Sequence, residues 1–226
     1  MLALSSCVEP PNGPALAPLV APSFVSPSTP TASEERGVDA EASAELGIHV
    51  EWHRPSEAVT DVSLYRAEGG SAFALLAGLA PSDTAMIDFV PNLGTWSYAL
   101  EVHDSENRVS ASTDTVAVTL IRKADPISPA PQSSSGPSPV FQWSWPEAGT
   151  LPRFVVRVEA LDNGSNWISP LMEFFEGAET IETEYGPELE PPDLLPGSYR
   201  WRVDAVDPSD PYRGSESLWI AFEVSS

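Results

Sequence analysis

The residues best able to do chemistry in this chain are few, and none stands in a pattern that a reaction needs. No GxSxG elbow, P-loop, dinucleotide glycine motif or HExxH segment occurs. The three histidines are His49, His53 and His103. On an extended stretch His49 and His53 stand about 13 Å apart, too far for one metal ion whose bonds are about 2 Å, so they read as solvated surface residues. Asp204, Asp207 and Asp210 crowd one segment with prolines between them. A calcium loop needs about six or more converging oxygens, usually around a glycine turn, so this spacing reads as turn-forming Asp-Pro chemistry. With 33 acidic residues, chance proximity of two carboxylates is expected, and pairing for glycoside hydrolysis carries no signal. Asn163-Gly164-Ser165 matches a glycosylation sequon, but three-residue matches are common. Cys7, the single cysteine, acts as a nucleophile only beside a base. These residues predict no enzyme, no metal site and no cofactor.

Recognition chemistry is better provided for. Flat indole faces stack on sugar rings, and there are seven tryptophans. Trp52, Trp143 and Trp201 fall on the inward phases of strand-like runs. That leaves Trp96, Trp145, Trp167 and Trp219 as the most that a carbohydrate platform could use.

The elements that hold these residues are bounded by composition. A length of 226 residues suits two domains of about 100 residues each, and 42% hydrophobic content is enough to build their cores. The 24 prolines against 14 glycines favour loops and short edge strands over helices. The formal charge is -22, and Lys123 is the lone lysine. Such a surface repels nucleic acid and anionic headgroups, so a phosphate-backbone partner is not expected. One cysteine rules out an internal disulfide, and packing alone must hold the domains. No run of about 18 apolar residues is present to span a membrane as a helix.

Leu4-Ser5-Ser6-Cys7 resembles the lipobox of bacterial lipoproteins. The resemblance implies that Cys7 is lipidated and becomes the first mature residue, with the membrane reached through that anchor only. The alternative is a free thiol in a flexible tail. With Val8 following, the same resemblance implies a bacterial cell surface or periplasmic location, as an outer-membrane lipoprotein. Residues 1–20 read as this start plus a disordered, proline-rich spacer.

Strand-like runs then recur at short spacing with turn residues between them, the all-β pattern. Leu46, Ile48, Val50 and Trp52 alternate onto one face. Residues 60–66, 72–79 and 84–90 follow, with Gly69-Gly70 as a turn. Tyr98, Leu100 and Val102 alternate again, and Val116, Val118 and Leu120 close the set. The order, with Trp52, Val62-Ser63-Leu64-Tyr65-Arg66 and Gly94-Thr95-Trp96-Ser97-Tyr98, resembles a fibronectin type III domain. A second copy carries Pro139 to Trp145, Arg153 to Leu161, Leu195-Pro196-Gly197-Ser198-Tyr199-Arg200-Trp201-Arg202-Val203, and Ser217 to Val224. The resemblance implies two tandem β-sandwiches, with Tyr98 as a tyrosine-corner residue whose hydroxyl bonds backbone. Domain 1 spans 21–122, a linker or edge strand 123–138, and domain 2 139–226. The proline- and serine-rich junction predicts two independently folded units with few contacts between them.

In this fold the third, sixth and seventh strands share a sheet. The alternation turns Arg153, Val155 and Arg157 outward on the third strand of domain 2, Arg200 and Arg202 outward on the sixth, and Trp219 outward on the seventh. Four of ten arginines then share one face with a tryptophan. They form either a guanidinium–indole ladder that braces the sheet or a site for an acidic protein or anionic glycan. The function expected is that of a non-catalytic, surface-anchored structural or adhesive protein working through protein–protein contacts. The alternative is a carbohydrate-binding module, or a subunit of an extracellular assembly, that grips a surface polysaccharide.

Overall fold

A computed structural model describes residues 17–56, 58–145, 152–162, 164–173, 180–185 and 193–225. Cys7, most of the spacer and Asn163 lie outside them.

Strict alternation builds the first sandwich. In chain order its strands are β1 (Asp39–Glu41), β2 (Gly47–Glu51), β3 (Asp61–Glu68), β4 (Ala74–Leu79), β5 (Ala85–Phe89), β6 (Gly94–His103) and β7 (Val116–Leu120). One sheet has the order β1-β2-β5, and the facing one runs β7-β6-β3-β4. Ile48, Val50 and Trp52 from the first sheet meet Val62, Leu64, Tyr98 and Leu100 from the second in a closed core. Burying such side chains, at about 25 cal/mol per Å² of apolar surface, is the main force holding sheet on sheet.

Domain 2 repeats the plan with β8 (Asp125–Ser128), β9 (Ser134–Ser135), β10 (Val140–Ser144), β11 (Arg153–Ala160), β12 (Asn166–Ile168), β13 (Met172–Glu173), β14 (Ile181–Glu184), β15 (Gly197–Asp207), β16 (Asp210–Glu216) and β17 (Ile220–Val224). Sheet β14-β10-β8 packs on the sheet centred on β11 and β15. The core is aromatic: Phe141 lies 5.1 Å from Trp201, and Trp143 5.6 Å from Phe154, between ring centroids. Tilted and edge-on pairs of this kind add to what their buried area supplies. Both halves are therefore fibronectin type III-like β-sandwiches, with no helix among the described residues.

The expectation of few contacts across the junction does not hold. Strand β16 overruns its own domain and lies parallel beside β7, pairing Arg213 with Thr119 and Gly214 with Leu120. The two larger sheets become one eleven-stranded sheet. The open edge of β7 is what invites this addition, since its unpaired amides and carbonyls need partners. Gly214 permits the tight pairing behind it, because a Cβ there would stand 2.8 Å from the carbonyl oxygen of Ala205. Tyr212 packs against the first core, and so does Leu19, two residues ahead of the expected start of that domain. Residues 123–138 hold β8, paired with β10, and β9, paired with β17. Lys123 Nζ donates to the carbonyls of Glu41, Ser43 and Glu45 in domain 1.

Candidate functional site: the arginine–tryptophan face

Strands β11 and β15 pair antiparallel, setting Arg157 opposite Arg202, Glu159 opposite Arg200, Val155 opposite Asp204 and Arg153 opposite Val206. All point to one side of the sheet. Trp219 reaches the same side because Ser217 interrupts the last strand. The Ser217 amide donates to the Val203 carbonyl, and Ser217 Oγ accepts from the Val203 amide, both at 2.9 Å. A hydroxyl thus replaces a strand carbonyl, splitting the strand into β16 and β17. Trp219 lies in the gap with the guanidinium carbons of Arg200 and Arg202 4.3 and 4.8 Å from its ring centroid.

This face is not open to solvent along its whole length. In domain 1 the first strand is split: Phe24 bridges Trp52, and pairing resumes only at β1. The intervening loop crosses to domain 2. Arg157 donates to the carbonyls of Ala32 (2.8 Å) and Pro30 (2.7 Å), and Glu35 bridges the guanidinium groups of Arg157 and Arg202. Beneath them Arg157 Nε meets Asp204 Oδ2 at 2.6 Å, and Glu216 holds Arg202 through two 2.8 Å contacts. Arg202 Nε and Asp204 Oδ1 stand 2.9 Å apart, out of line for a hydrogen bond. Arg157, Arg202 and Val155, expected to face solvent, are buried. Their outward phase is outward only from the core of domain 2; domain 1 covers it. Arg153 and Arg200 keep about two-fifths of their side chains exposed and pair with Glu173 and Glu159.

Electrostatics follow from this burial. Withdrawal from water lifts Asp39 to about 8, with Glu35 adding to the effect. Burial also pushes Glu216 well up, outweighing the attraction of Arg202. For Arg202 burial opposes the charge, but Asp204, Glu216 and Glu35 reverse that and raise it. Burial lowers Lys123. Glu35, Asp204 and Glu216 bring oxygens within 4.8 Å of one another, as ligands to a cation would. The cation among them is the guanidinium of Arg202.

The remaining sequence-predicted residues are placed as follows. Six of the seven tryptophans, including Trp96, Trp145 and Trp167, are buried. Trp219 is half-buried under its arginines, so no tryptophan platform forms. His49 is half-buried rather than solvated, with Nδ1 3.1 Å from the Gly37 carbonyl oxygen, whereas His53 is exposed. Asp207 accepts from Ser209 and pairs with Arg213. Tyr98 is not the corner residue: its hydroxyl donates to Asp88 Oδ2 at 2.8 Å, burial raising the phenol and Asp88 adding to it. Trp96 takes the corner, its Nε1 donating to the Asn92 carbonyl at 3.1 Å. Sequence reasoning missed Glu35, Asp39 and Glu216, and no local signal marks them.

No protein family matches the chain, and no curated protein matches it. Among solved structures it is similar to the FN1–FN3 domains of chicken CNTN1, at 12% identity over 93% of this chain and 69% of that one, with a TM-score of 0.39. It is also similar to the fibronectin(III)-like modules of Clostridium thermocellum CbhA, at 15% identity over 83% and 91%, TM-score 0.33. A β-1,2-glucanase from Parabacteroides distasonis shares 22% identity over 47% of this chain and 14% of its own, TM-score 0.32. At such levels the fold rests on the strand order and pairing above.

Proposed function

We propose that this chain is a non-catalytic structural or adhesive protein, held at a bacterial cell surface through a lipid on Cys7 and working through protein–protein contacts. The observation that supports the structural part is the fate of the arginine–tryptophan face. Two of its four arginines fasten domain 1 to domain 2, and a third stacks on Trp219. The shared sheet stiffens the same junction. A chain that spends its scarce positive charge on holding its own domains together suits a stiff extension that carries contact surfaces away from a membrane. The buried tryptophans weigh against the carbohydrate reading, since stacking on a sugar ring requires an exposed indole face.

Detergent phase partition of protein expressed with a lipoprotein signal peptide ahead of Cys7 tests the anchor. The wild type enters the detergent phase and Cys7→Ala stays aqueous; wild type found wholly in the aqueous phase removes the anchor. Pull-down on surface polysaccharide separates the two kinds of partner, with no retention expected.

A further inference from the structure

The junction between the sandwiches holds more carboxylates than guanidinium groups. Glu35, Asp39, Asp204 and Glu216 face Arg157 and Arg202. Three of the four carboxylates touch a guanidinium. Asp39 makes no ion pair with one among the described residues; the nearest basic side chain is His49, whose Nδ1 lies 4.0 Å away across the β1–β2 pair. The other charged groups around Asp39 are Glu41 on its own strand, Glu35 from the loop, and Arg202, Asp204 and Glu216 from β15 and β16. Lys123 is tied to carbonyls nearby. A cavity of about 70 Å³ runs along the seam, with Asp39, Glu35 and Glu216 in its wall together with Asp207, Asp210 and Arg213. Its wall is largely apolar, but the carboxylates in it give a water in a cavity of that size hydrogen-bond partners, so these carboxyl groups can exchange protons without the domains parting.

We propose that the junction is a pH-sensitive clasp, in which the inserted loop of domain 1 holds domain 2 in mildly acid surroundings and loosens its hold as the surplus carboxyl groups at the seam ionise. The sign follows from Asp39. Its ordinary value of 3.8 becomes about 8 when docked. Between these values the docked form keeps a proton that the undocked form releases, so docking weakens steadily as pH rises from about 4 to about 8. Glu216 is pushed the same way by burial. One such group raises the open population by up to about tenfold per pH unit inside that window.

Hydrogen exchange of the full chain at pH 6 and pH 8 reads that population. The reporter is the Ile121 amide, which bonds the Gly214 carbonyl across the junction at 3.2 Å; β2 and β10 amides serve as core references. After correction for intrinsic exchange, protection at Ile121 is expected to fall by one to two orders of magnitude, about tenfold per unit, with the references unchanged. Asp39→Asn, neutral at every pH, cuts the fall back to what Glu216 supplies, whereas His49→Gln leaves it whole. Junction protection that is independent of pH in the wild type overturns the proposal, as does a fall that persists undiminished in Asp39→Asn. If that variant does not fold, the wild-type series alone decides.

Discussion

The sixth strands of the two sandwiches agree on their inward side and differ on their outward side. Two residues after Gly94 stands Trp96, and two after Gly197 stands Tyr199. Each donates to the carbonyl four residues before it, Asn92 at 3.1 Å and Leu195 at 2.9 Å. The next inward residues are Tyr98 and Trp201, bonded to Asp88 and to the Pro129 carbonyl. Leu100 and Val203 follow, each with its amide held by a hydroxyl, of Thr113 or Ser217. On the outer side domain 1 has Tyr65, Ser97, Ala99 and Glu101 where domain 2 has Arg157, Arg200, Arg202 and Asp204. A core fixes the inward phase in both. The outward phase answers to whatever lies against it, which for domain 2 is the other domain.

Arg202→Ala strikes the outward face of domain 2 hardest. It leaves Asp204, Glu216 and Glu35 facing one another in a buried seam, and loss of about 3–5 kcal/mol is expected from denaturant unfolding. A loss under about 1 kcal/mol would mean that the cluster is solvated. Tyr98→Phe comes next. It removes one of two donors from buried Asp88 while Arg66 remains at 2.7 Å, and a hydrogen bond to a charged group is worth about 1.5–3 kcal/mol. Trp219→Leu deletes two cation–π contacts on domain 2, about 1–2 kcal/mol together, read as a lowered midpoint of thermal unfolding. Tyr199→Phe loses a single neutral hydrogen bond, about 1 kcal/mol, and tests whether the corner matters less than the seam.

The inward phases were legible because alternation leaves a direct trace. Leu46 to Trp52 and Tyr199 to Val203 place their apolar residues on every second position, and the structure buries those positions, Leu46 only partly. The corner donor was harder to read, because Trp96 and Tyr98 share a phase in Gly94-Thr95-Trp96-Ser97-Tyr98. Only the distance from the glycine turn decides which of them reaches back. The arginine face was half legible: β11 and β15 do bring the four arginines to one side. Nothing local could reveal its cover, since Glu35 stands 167 residues from Arg202 in the chain and sits in a polar loop with no periodicity. The continuous sheet was hidden for a related reason. Edge addition by β16 uses backbone groups, which every sequence supplies, and a small Gly214 beside Tyr212 leaves little trace of it in the sequence.

If the charged face of domain 2 holds domain 1, Glu35 and Arg202 must be energetically coupled. A double-mutant cycle of Glu35→Gln and Arg202→Met, measured by denaturant unfolding of the full chain, tests it most directly. The two residues belong to different domains and touch only if the seam forms. A coupling energy of about 1 kcal/mol or more is expected, within the range of about 0.5–3 kcal/mol for contacting pairs. Effects that add to within about 0.3 kcal/mol, as for residues with no shared partner, would contradict it.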